Sequence, residues 1–209
     1  MDAYKKLLKN NREWASEQLD VDPQYFERLK SQAPEILWIG CSDSRVPADR
    51  ITGTHPGEIF VHRNISNLVV HTDLNMLSVL QYAVEILKVR HVIVVGHHNC
   101  GGITAAMSNQ SYGLMDQWIW NIKNVYRMHR DKINALPTYE EKHHLLTELN
   151  VIEQVKNLAK TSIIQNAWKN DKIPYLHGWV YDLRDGIINP VFDMDSTTPA
   201  DPIFELNNI

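Results

Sequence analysis

The sequence predicts an α/β protein with a mainly parallel central sheet, and two observations lead to that class. Short apolar runs that end in glycine or a polar residue lie at 35–40, 57–63 and 91–97, and such runs are typical of strands buried on both faces. Between the last two runs, residues 72–88 carry apolar side chains at helical spacing. A strand, a helix and a strand in succession predict a parallel pair joined by a crossover helix.

The first 31 residues precede every predicted strand, and we expect them to form two amphipathic helices. Asp22 is expected to cap the second helix. Pro23 is expected at the first helical position, where the backbone N–H that proline lacks would have no partner within the helix. The apolar positions of the first helix are Tyr4, Leu7, Leu8 and Trp14.

In the crossover helix, Thr72 is expected to act as the N-cap. The pattern of residues 101–169 predicts a mainly helical region. The clearest break in this region is at 137–138, where a proline is followed by a threonine. The apolar face of the crossover helix is predicted to consist of Leu74, Leu77, Leu80, Val84 and Leu87.

Two further strands are predicted near the C-terminus. Residues 172–182 have the composition of a fourth strand, and the Asp-Gly pair at 185–186 predicts a turn after it. Residues 187–192 predict a fifth strand at the sheet edge, because Pro190 cannot donate a ladder hydrogen bond. The expected sheet therefore has four strands plus an edge strand, flanked by helices.

The length and composition predict one domain. With 209 residues, of which 44% are hydrophobic and 22% charged, the chain has apolar material for a single sizeable core. We expect one domain over 1–209, made of an N-terminal helical arm at 1–31 and an α/β core with a C-terminal extension at 34–209.

Charge and cysteine content narrow the class of function. The formal charge of −4 and the lack of a Lys/Arg run argue against a nucleic-acid partner. The sequence shows neither the apolar stretch of a signal peptide nor a window near the ~20 apolar residues of a membrane span, so we expect a cytoplasmic protein. Two cysteines cannot form a disulfide framework, and paired thiols in a reducing compartment are more often metal ligands or redox groups.

Four metal-binding side chains follow two of the predicted strands. Cys41 and Asp43 come just after the first strand, and His97 and Cys100 lie at the end of the third. Ligands of parallel α/β sheets sit beyond the carboxyl ends of the strands, so these four groups can meet. Two thiolates, one imidazole and one carboxylate make a tetrahedral zinc set.

Arg45 offers a way for these residues to form a catalytic zinc site instead of a structural one. A site with all four ligands occupied is structural, whereas a catalytic site keeps one position open. The Arg45 guanidinium can bind the Asp43 carboxylate through two hydrogen bonds and hold it off the metal. The alternative is that Arg45 is a surface residue at the start of a helix, and the spacing alone leaves both interpretations open.

The chain resembles the β-class carbonic anhydrases over nearly its whole length. The paired Cys-x-Asp-x-Arg and His-x-x-Cys-Gly-Gly patterns in this order are specific, unlike either half alone. The stretches that carry the resemblance are CSDSRVP at 41–47, GEIFVHRNISN at 57–67, SVLQYAV at 78–84, GHHNCGGI at 96–103, NVIEQVKNL at 150–158 and HGWVYD at 177–182.

The resemblance implies a lyase that reversibly hydrates CO₂ to bicarbonate and a proton with one Zn²⁺ per chain. Cys41, His97 and Cys100 would be permanent ligands, and Asp43 would alternate between the metal and Arg45. It also implies a homodimer, or a dimer of dimers, in which the N-terminal arm covers the neighbouring subunit. The residues that match the family's substrate pocket between protomers are Gln32, Phe60, Tyr82 and Gly101. For Phe60 and Tyr82, packing in the apolar core is the alternative interpretation.

A further resemblance concerns regulation. Beside Gly40, the chain carries the residues found in the bicarbonate-regulated (type II) subset of the family, where bicarbonate binds a second, non-catalytic pocket. Bicarbonate there would favour the form in which Asp43 leaves Arg45 and closes onto zinc. The matching residues are Trp38, Val46, Arg63 and Tyr181. The alternative is that Trp38 and Tyr181 only fill the core.

Two other functions remain open at this level. The same fold could hydrolyse a CO₂ analogue such as carbon disulfide, or it could be a non-catalytic zinc module that senses bicarbonate. Arg45 argues against the second, because a structural site needs no group that competes for its carboxylate. His98 departs from the family pattern, and the residues give it no assigned role.

Overall fold

The computed structural model describes residues 2–199 and 201–208, and the chain divides into two compact units, Met1–Ala33 and Pro34–Ile209. The prediction of a single domain with an N-terminal arm stays a prediction. Among the described residues, no helix is both long enough and apolar enough to cross a membrane.

The N-terminal unit consists of helix α1 (Ala3–Val21) and the single turn α2 (Tyr25–Arg28). Edge-to-face contacts from Trp14 to Tyr25 and Phe26, with ring centroids 6.1 and 5.7 Å apart, pack the two helices together. The predicted cap at Asp22 was wrong in position. Its side chain accepts from the Gln24 amide at 3.0 Å and its carbonyl from the Tyr25 amide, so a turn precedes the helix.

The second unit contains the predicted sheet of four parallel strands and one edge strand. The strands are β1 (Ile36–Cys41), β2 (Ile59–Asn64), β3 (His91–His97), β4 (Tyr175–Tyr181) and β5 (Ile188–Met194). Their spatial order is β2-β1-β3-β4-β5, in which β1 pairs in parallel with β2 and β3, β3 pairs in parallel with β4, and β5 runs antiparallel to β4.

The edge strand and its turn follow the sequence prediction. Pro190 lies opposite Trp179, next to a register shift between Gly178 and Trp179, and an edge strand tolerates the donor that proline lacks. Gly186 has φ 76°, which favours glycine, and its amide donates to the Asp182 carbonyl at 2.9 Å to close the turn.

The crossover helix α4 (Leu74–Gln81) continues into a π-helical turn, Tyr82–Ile86. Its N-cap is Asp73, whose carboxylate accepts from the amides of Asn75 at 3.1 Å and Met76 at 3.4 Å, so the prediction of Thr72 was wrong by one residue. Leu74 was also wrongly placed on the buried face, since it is 73% exposed at the first helical position.

The remaining helices lie between and after the strands. Thr138 forms a capping box with Glu141 at the start of the longest helix, which confirms the predicted break. These helices are α3 (Ala48–Thr52), α5 (Gly101–Ala106), α6 (Met115–Met128), α7 (Arg130–Asn134), α8 (Tyr139–Ala159) and α9 (Ser162–Asn170).

The two faces of the sheet are packed differently. Leu37, Ile39 and Val94 point to the face covered by α4, α8 and α9, where the main core lies. The side chains of alternate residues point to the opposite face. There Trp38 and Ile93 belong to a smaller cluster that includes Ala48 of α3.

Candidate metal centre

The carboxyl ends of β1 and β3 bring two thiols and one imidazole together. Cys41 and His97 are the last residues of these adjacent parallel strands, and Cys100 is the N-cap of α5. The two sulfur atoms lie 3.9 Å apart, and one ligand atom from each of the three residues lies within 4.8 Å of the others. All three side chains are buried.

The imidazole is oriented as a metal ligand. His97 Nδ1 lies 3.0 Å from the His98 carbonyl oxygen, which can only accept, so Nδ1 carries the proton and Nε2 carries a lone pair. Nε2 is buried and has no hydrogen-bond partner among the described residues. A buried polar atom without a partner is costly, and a cation bound by Nε2 and the two thiolates would remove that cost. The donor set therefore fits a metal ion.

The two thiols affect each other in opposite directions. The contact with Cys100, together with burial, raises the pKa of Cys41. The hydrogen bond from Cys41, together with the neighbouring His97, lowers the pKa of Cys100 well below its ordinary value. Like charges this close oppose each other, so one thiolate forms at the expense of the other. A divalent cation between them would stabilise both thiolates, as metal ligation requires.

Asp43 lies beside the three ligands and is held by Arg45. Its Oδ1 accepts from Arg45 Nε at 2.9 Å and its Oδ2 from Arg45 Nη2 at 2.7 Å, while the Arg45 amide also donates to Oδ1 at 2.9 Å. The Arg45 guanidinium thus holds the pKa of the Asp43 carboxyl well below its usual range. Oδ2 lies 3.7 Å from His97 Nε2. The carboxylate therefore faces the ligand set while both of its oxygens are bound to the arginine.

Arg63 has contacts that the sequence did not predict. Its Nε donates to the Cys41 carbonyl at 2.8 Å and its Nη2 to the Asp43 carbonyl at 2.5 Å. The same Asp43 carbonyl accepts from the Val46 amide at 3.1 Å. Arg63 and Val46 therefore fix the backbone that carries both a metal-ligand candidate, Cys41, and the carboxylate of Asp43.

Ser66 is a site residue that the sequence analysis missed. It is fully buried, its Oγ lies 3.4 Å from the Cys100 sulfur, and its φ of 64° is uncommon for a serine. A Cβ on Gly102 would lie 2.0 Å from that Oγ, so only glycine fits opposite the serine. The paired glycines after Cys100 are the sequence feature that could have indicated a close approach.

The predicted substrate-pocket residues are only partly brought together. Phe60 and Tyr82 lie with ring centroids 5.8 Å apart, and Phe60 packs against the main core while Tyr82 is largely exposed. Gly101 opens on empty space, since a Cβ there would meet nothing within 4 Å. Gln32 belongs to the N-terminal unit and is exposed. A common pocket for these four residues stays a prediction.

Of the residues predicted to bind regulatory bicarbonate, Trp38, Arg63 and Tyr181 lie on strands, at positions of the sheet face opposite the main core, and the buried Val46 lies in the segment between β1 and α3. Gly40 pairs with Arg63 in the register of β1 and β2. A Cβ on Gly40 would lie 2.4 Å from Nε1 of the buried Trp38, so the indole occupies the space that glycine leaves. Tyr181 ends β4 opposite His97, and its hydroxyl would lie 3.7 Å from a Cβ on Gly186.

His98, to which the sequence assigned no role, lies against the ring of another histidine at a tilt of 35°. Its ring centroid lies 4.0 Å from that of His144. Burial and the neighbouring His144 lower the pKa of His98 to about 4, so the imidazole is neutral at pH 7.

A mainly parallel α/β sheet gathers two thiols and one imidazole at its carboxyl edge, with a carboxylate beside them, and this defines an α/β protein with a candidate metal centre. The carbonic anhydrase family model matches residues 36–188, and the chain belongs to that family, in its β class.

Relatives and solved structures agree over most of the chain. A carbonic anhydrase of Emericella nidulans is 44% identical over 88% of this chain and 82% of its own. The β-carbonic anhydrase CafA of Aspergillus fumigatus superposes with a TM-score of 0.87 at 36% identity, covering 95% of this chain and 93% of its own. A tetrameric β-carbonic anhydrase of Sordaria macrospora gives 0.89 at 36% identity, covering 93% of this chain and 100% of its own. The chain is accordingly an enzyme of the carbonic anhydrase type.

Proposed function

We propose that the chain reversibly hydrates CO₂ with one zinc ion held by Cys41, His97 and Cys100. The proposal depends on the buried His97 Nε2, which has no hydrogen-bond partner in the described part of the chain. The ligand atoms of His97 and the two cysteines lie within 4.8 Å of one another. Zinc in such a site acts as a Lewis acid and lowers the pKa of a water molecule in its open position.

The role of Asp43 is to accept a hydrogen bond from that water and to orient it toward CO₂. Because both carboxylate oxygens bind Arg45, Asp43 stays ionised and off the metal. Arg45 also donates to the Asn99 carbonyl at 3.3 Å, which anchors it to the loop between His97 and Cys100. The arginine therefore keeps the fourth ligand position open and the acceptor in place.

A zinc assay combined with stopped-flow CO₂ hydration at pH 7 and pH 9 tests this proposal. The expected result is one zinc per chain and hydration that is faster at pH 9. His97→Ala should lose both, while a matched control, His55→Ala at an exposed histidine, should keep both. Absence of zinc from the folded wild-type chain would refute the proposal. Zinc without hydration at either pH would favour the alternatives, a bicarbonate sensor or a hydrolase of a CO₂ analogue such as carbon disulfide.

We further propose that bicarbonate inhibits the enzyme at a second pocket formed by Trp38, Val46, Arg63 and Tyr181. The contacts of Arg63 support this, because its guanidinium holds the carbonyls of Cys41 and Asp43. An anion that competes for this guanidinium would weaken its hold on the Asp43 backbone. The carboxylate could then leave Arg45 and close onto zinc, which is the inactive form.

Conservative substitutions test the second pocket without removing Arg63. Tyr181→Phe and Trp38→Phe should each weaken inhibition by bicarbonate by several-fold while hydration at low bicarbonate persists. Trp120→Phe, at an exposed tryptophan of α6, is the matched control and should leave the inhibition constant unchanged. Unchanged inhibition in both pocket variants would remove the regulatory pocket.

The assembly and the cellular location of the chain are also proposals. We propose a homodimer or a dimer of dimers, with the substrate pocket of Gln32, Phe60, Tyr82 and Gly101 formed between subunits. The tetrameric relative from Sordaria macrospora and the exposed apolar side chains of α1 support this. The proposed cytoplasmic location rests on the sequence, and fluorescence microscopy of the tagged chain in its host would test it.

A further inference from the structure

A second group of imidazoles lies at the opposite end of the sheet from the Cys–His–Cys centre. His91 begins β3, His177 lies on β4, and Asp193 lies directly opposite His177 on β5. His91 Nδ1 is 3.0 Å from His177 Nε2, and His177 Nδ1 is 2.6 Å from Asp193 Oδ1. Hydrogen bonds therefore join three side chains into one row, with one side chain from each of the strands β3, β4 and β5.

The register explains why the two rings meet. His91 pairs with Tyr175 and Ile93 pairs with His177, so the histidines are diagonal neighbours on one face of the sheet. Tyr175 stacks on His91 at 5.5 Å, which restricts that ring, and the strands fix the backbone of both residues. Such a pair is held more rigidly than one on a loop.

The carboxylate sets the chemistry of the row. An ionised Asp193 only accepts, so His177 Nδ1 carries a proton and its Nε2 presents a lone pair toward His91. Histidine ligands of protein-bound transition metals are commonly arranged in this way: one ring N–H donates to a carboxylate, and the second ring nitrogen points at the metal position. Burial and the neighbouring His177 lower the pKa of His91, which favours the neutral ring that a metal ion needs.

We propose that His91 Nδ1 and His177 Nε2 together bind a divalent transition-metal ion, with Asp193 orienting His177. Two nitrogens that share a tetrahedral ion at 2.0–2.1 Å lie about 3.4 Å apart, so the observed pair must open by a few tenths of an ångström and the rings must turn until both nitrogens point at the ion. The cation takes the place of the proton now shared between the rings, and that proton moves to His91 Nε2, so the count of bound protons is unchanged.

The ligand set defines which ions fit. No third His, Cys, Asp or Glu atom joins the pair within ligand distance among the described residues, so the other positions fall to water. Half-buried imidazoles with open positions suit Ni²⁺, Zn²⁺ or Cu²⁺ rather than Mg²⁺ or Ca²⁺. The ion binds more weakly than one held by two thiolates and an imidazole, and it exchanges with solvent.

Calorimetric titration of the zinc-loaded, tag-free chain with NiCl₂ tests the site, because Ni²⁺ binds imidazole and does not oxidise thiols. Wild type should bind one Ni²⁺ per chain while its zinc content stays constant. His91→Ala and His177→Ala should abolish this binding. His55→Ala, at an exposed histidine, should bind as wild type does. Asp193→Asn should weaken binding about tenfold or more, the usual cost of losing a carboxylate behind a ligand.

Several results would overturn the proposal. The titrated chain is first brought to one zinc per chain, the content expected from the Cys–His–Cys centre alone. Absence of Ni²⁺ uptake by wild type, uptake matched by loss of that one zinc, or equal binding by wild type and the His91→Ala and His177→Ala variants would each contradict the site. Unchanged affinity in Asp193→Asn would contradict the role of the carboxylate. His91→Gln and His177→Gln, checked by circular dichroism, repeat the test with a side chain that keeps a hydrogen-bonding group, so that misfolding is separated from loss of a ligand.

Discussion

At the scale of single residues, the site depends on close approaches that leave no room for other side chains. Gly102 faces the Ser66 hydroxyl, and that serine lies next to the Cys100 sulfur in an uncommon backbone conformation. Arg63 holds the carbonyls of Cys41 and Asp43. These contacts fix the positions of the ligand candidates before any metal binds.

Replacing Gly102 by alanine should therefore destabilise the fold. The new Cβ would lie 2.0 Å from Ser66 Oγ and 3.1 Å from a side-chain carbon of Ile65, so the buried serine must move. We expect a loss of about 1–3 kcal/mol in the free energy of unfolding, as for other overpacked sites. Gly101→Ala is the matched control, since its Cβ meets nothing within 4 Å. Urea denaturation measures both, and equal stabilities would contradict the predicted clash.

The ion pair of Asp182 with Arg184 should make the stability of the fold depend on pH. Its hydrogen bonds with Arg184 lower the pKa of Asp182 to about 2, whereas an unfolded aspartate titrates near 4. The folded state thus gains stability that is complete above pH 4 and is lost as the pH falls from about 4 to 2. Asp182→Asn should lower the free energy of unfolding at pH 7 by about 1 kcal/mol, because the arginine is largely exposed. The difference in free energy of unfolding between wild type and Asp182→Asn, measured by urea denaturation, should become smaller below pH 4. A difference that stays constant with pH would contradict this prediction.

At the scale of elements, the strands and the crossover helix follow from hydrophobic pattern, while helix ends depend on finer detail. The apolar runs predicted all five strands within a few residues of their bounds. Thr72 and Asp73 are both good capping residues, and the pattern could not choose between neighbours. The carboxylate reaches two amides of the first turn, which decides in favour of Asp73.

Alanine substitutions at Asp73 and Thr72 test which residue caps the crossover helix. Asp73→Ala should cost about 1 kcal/mol, the typical value for a lost N-cap, whereas Thr72→Ala should be close to neutral. Thermal denaturation of both variants measures the difference. A larger loss from Thr72→Ala than from Asp73→Ala would restore the first prediction.

At the scale of the whole molecule, the sequence predicted the site in outline. Two ligand-rich motifs after adjacent parallel strands had to meet at one edge, and Cys41, His97 and Cys100 do so. The contacts of Arg63 and Ser66 could not be predicted, because they depend on register and on backbone conformation between elements. The row of His91, His177 and Asp193 was missed for the same reason, since its members are far apart in sequence.

Assembly gives a prediction at this scale. The first helix exposes Tyr4, Leu7 and Leu8 within its own unit, and exposed apolar stripes of this kind mark association surfaces. Light scattering should show wild type as a dimer or larger. Leu7→Asp combined with Leu8→Asp should shift it toward smaller species, while Asn10→Asp on the same helix should not. A wild-type monomer at micromolar concentration would contradict the interfacial pocket.

We propose that Arg45 keeps the Asp43 carboxylate off a metal ion held by Cys41, His97 and Cys100. Arg45→Ala tests it most directly, by zinc content and stopped-flow CO₂ hydration of the same sample. Arg50→Ala, at an exposed arginine of α3, serves as the control. We predict that the Arg45 variant keeps about one zinc per chain and loses hydration by about 100-fold or more, because the freed carboxylate occupies the open position. Hydration at the wild-type rate with zinc retained would contradict the claim.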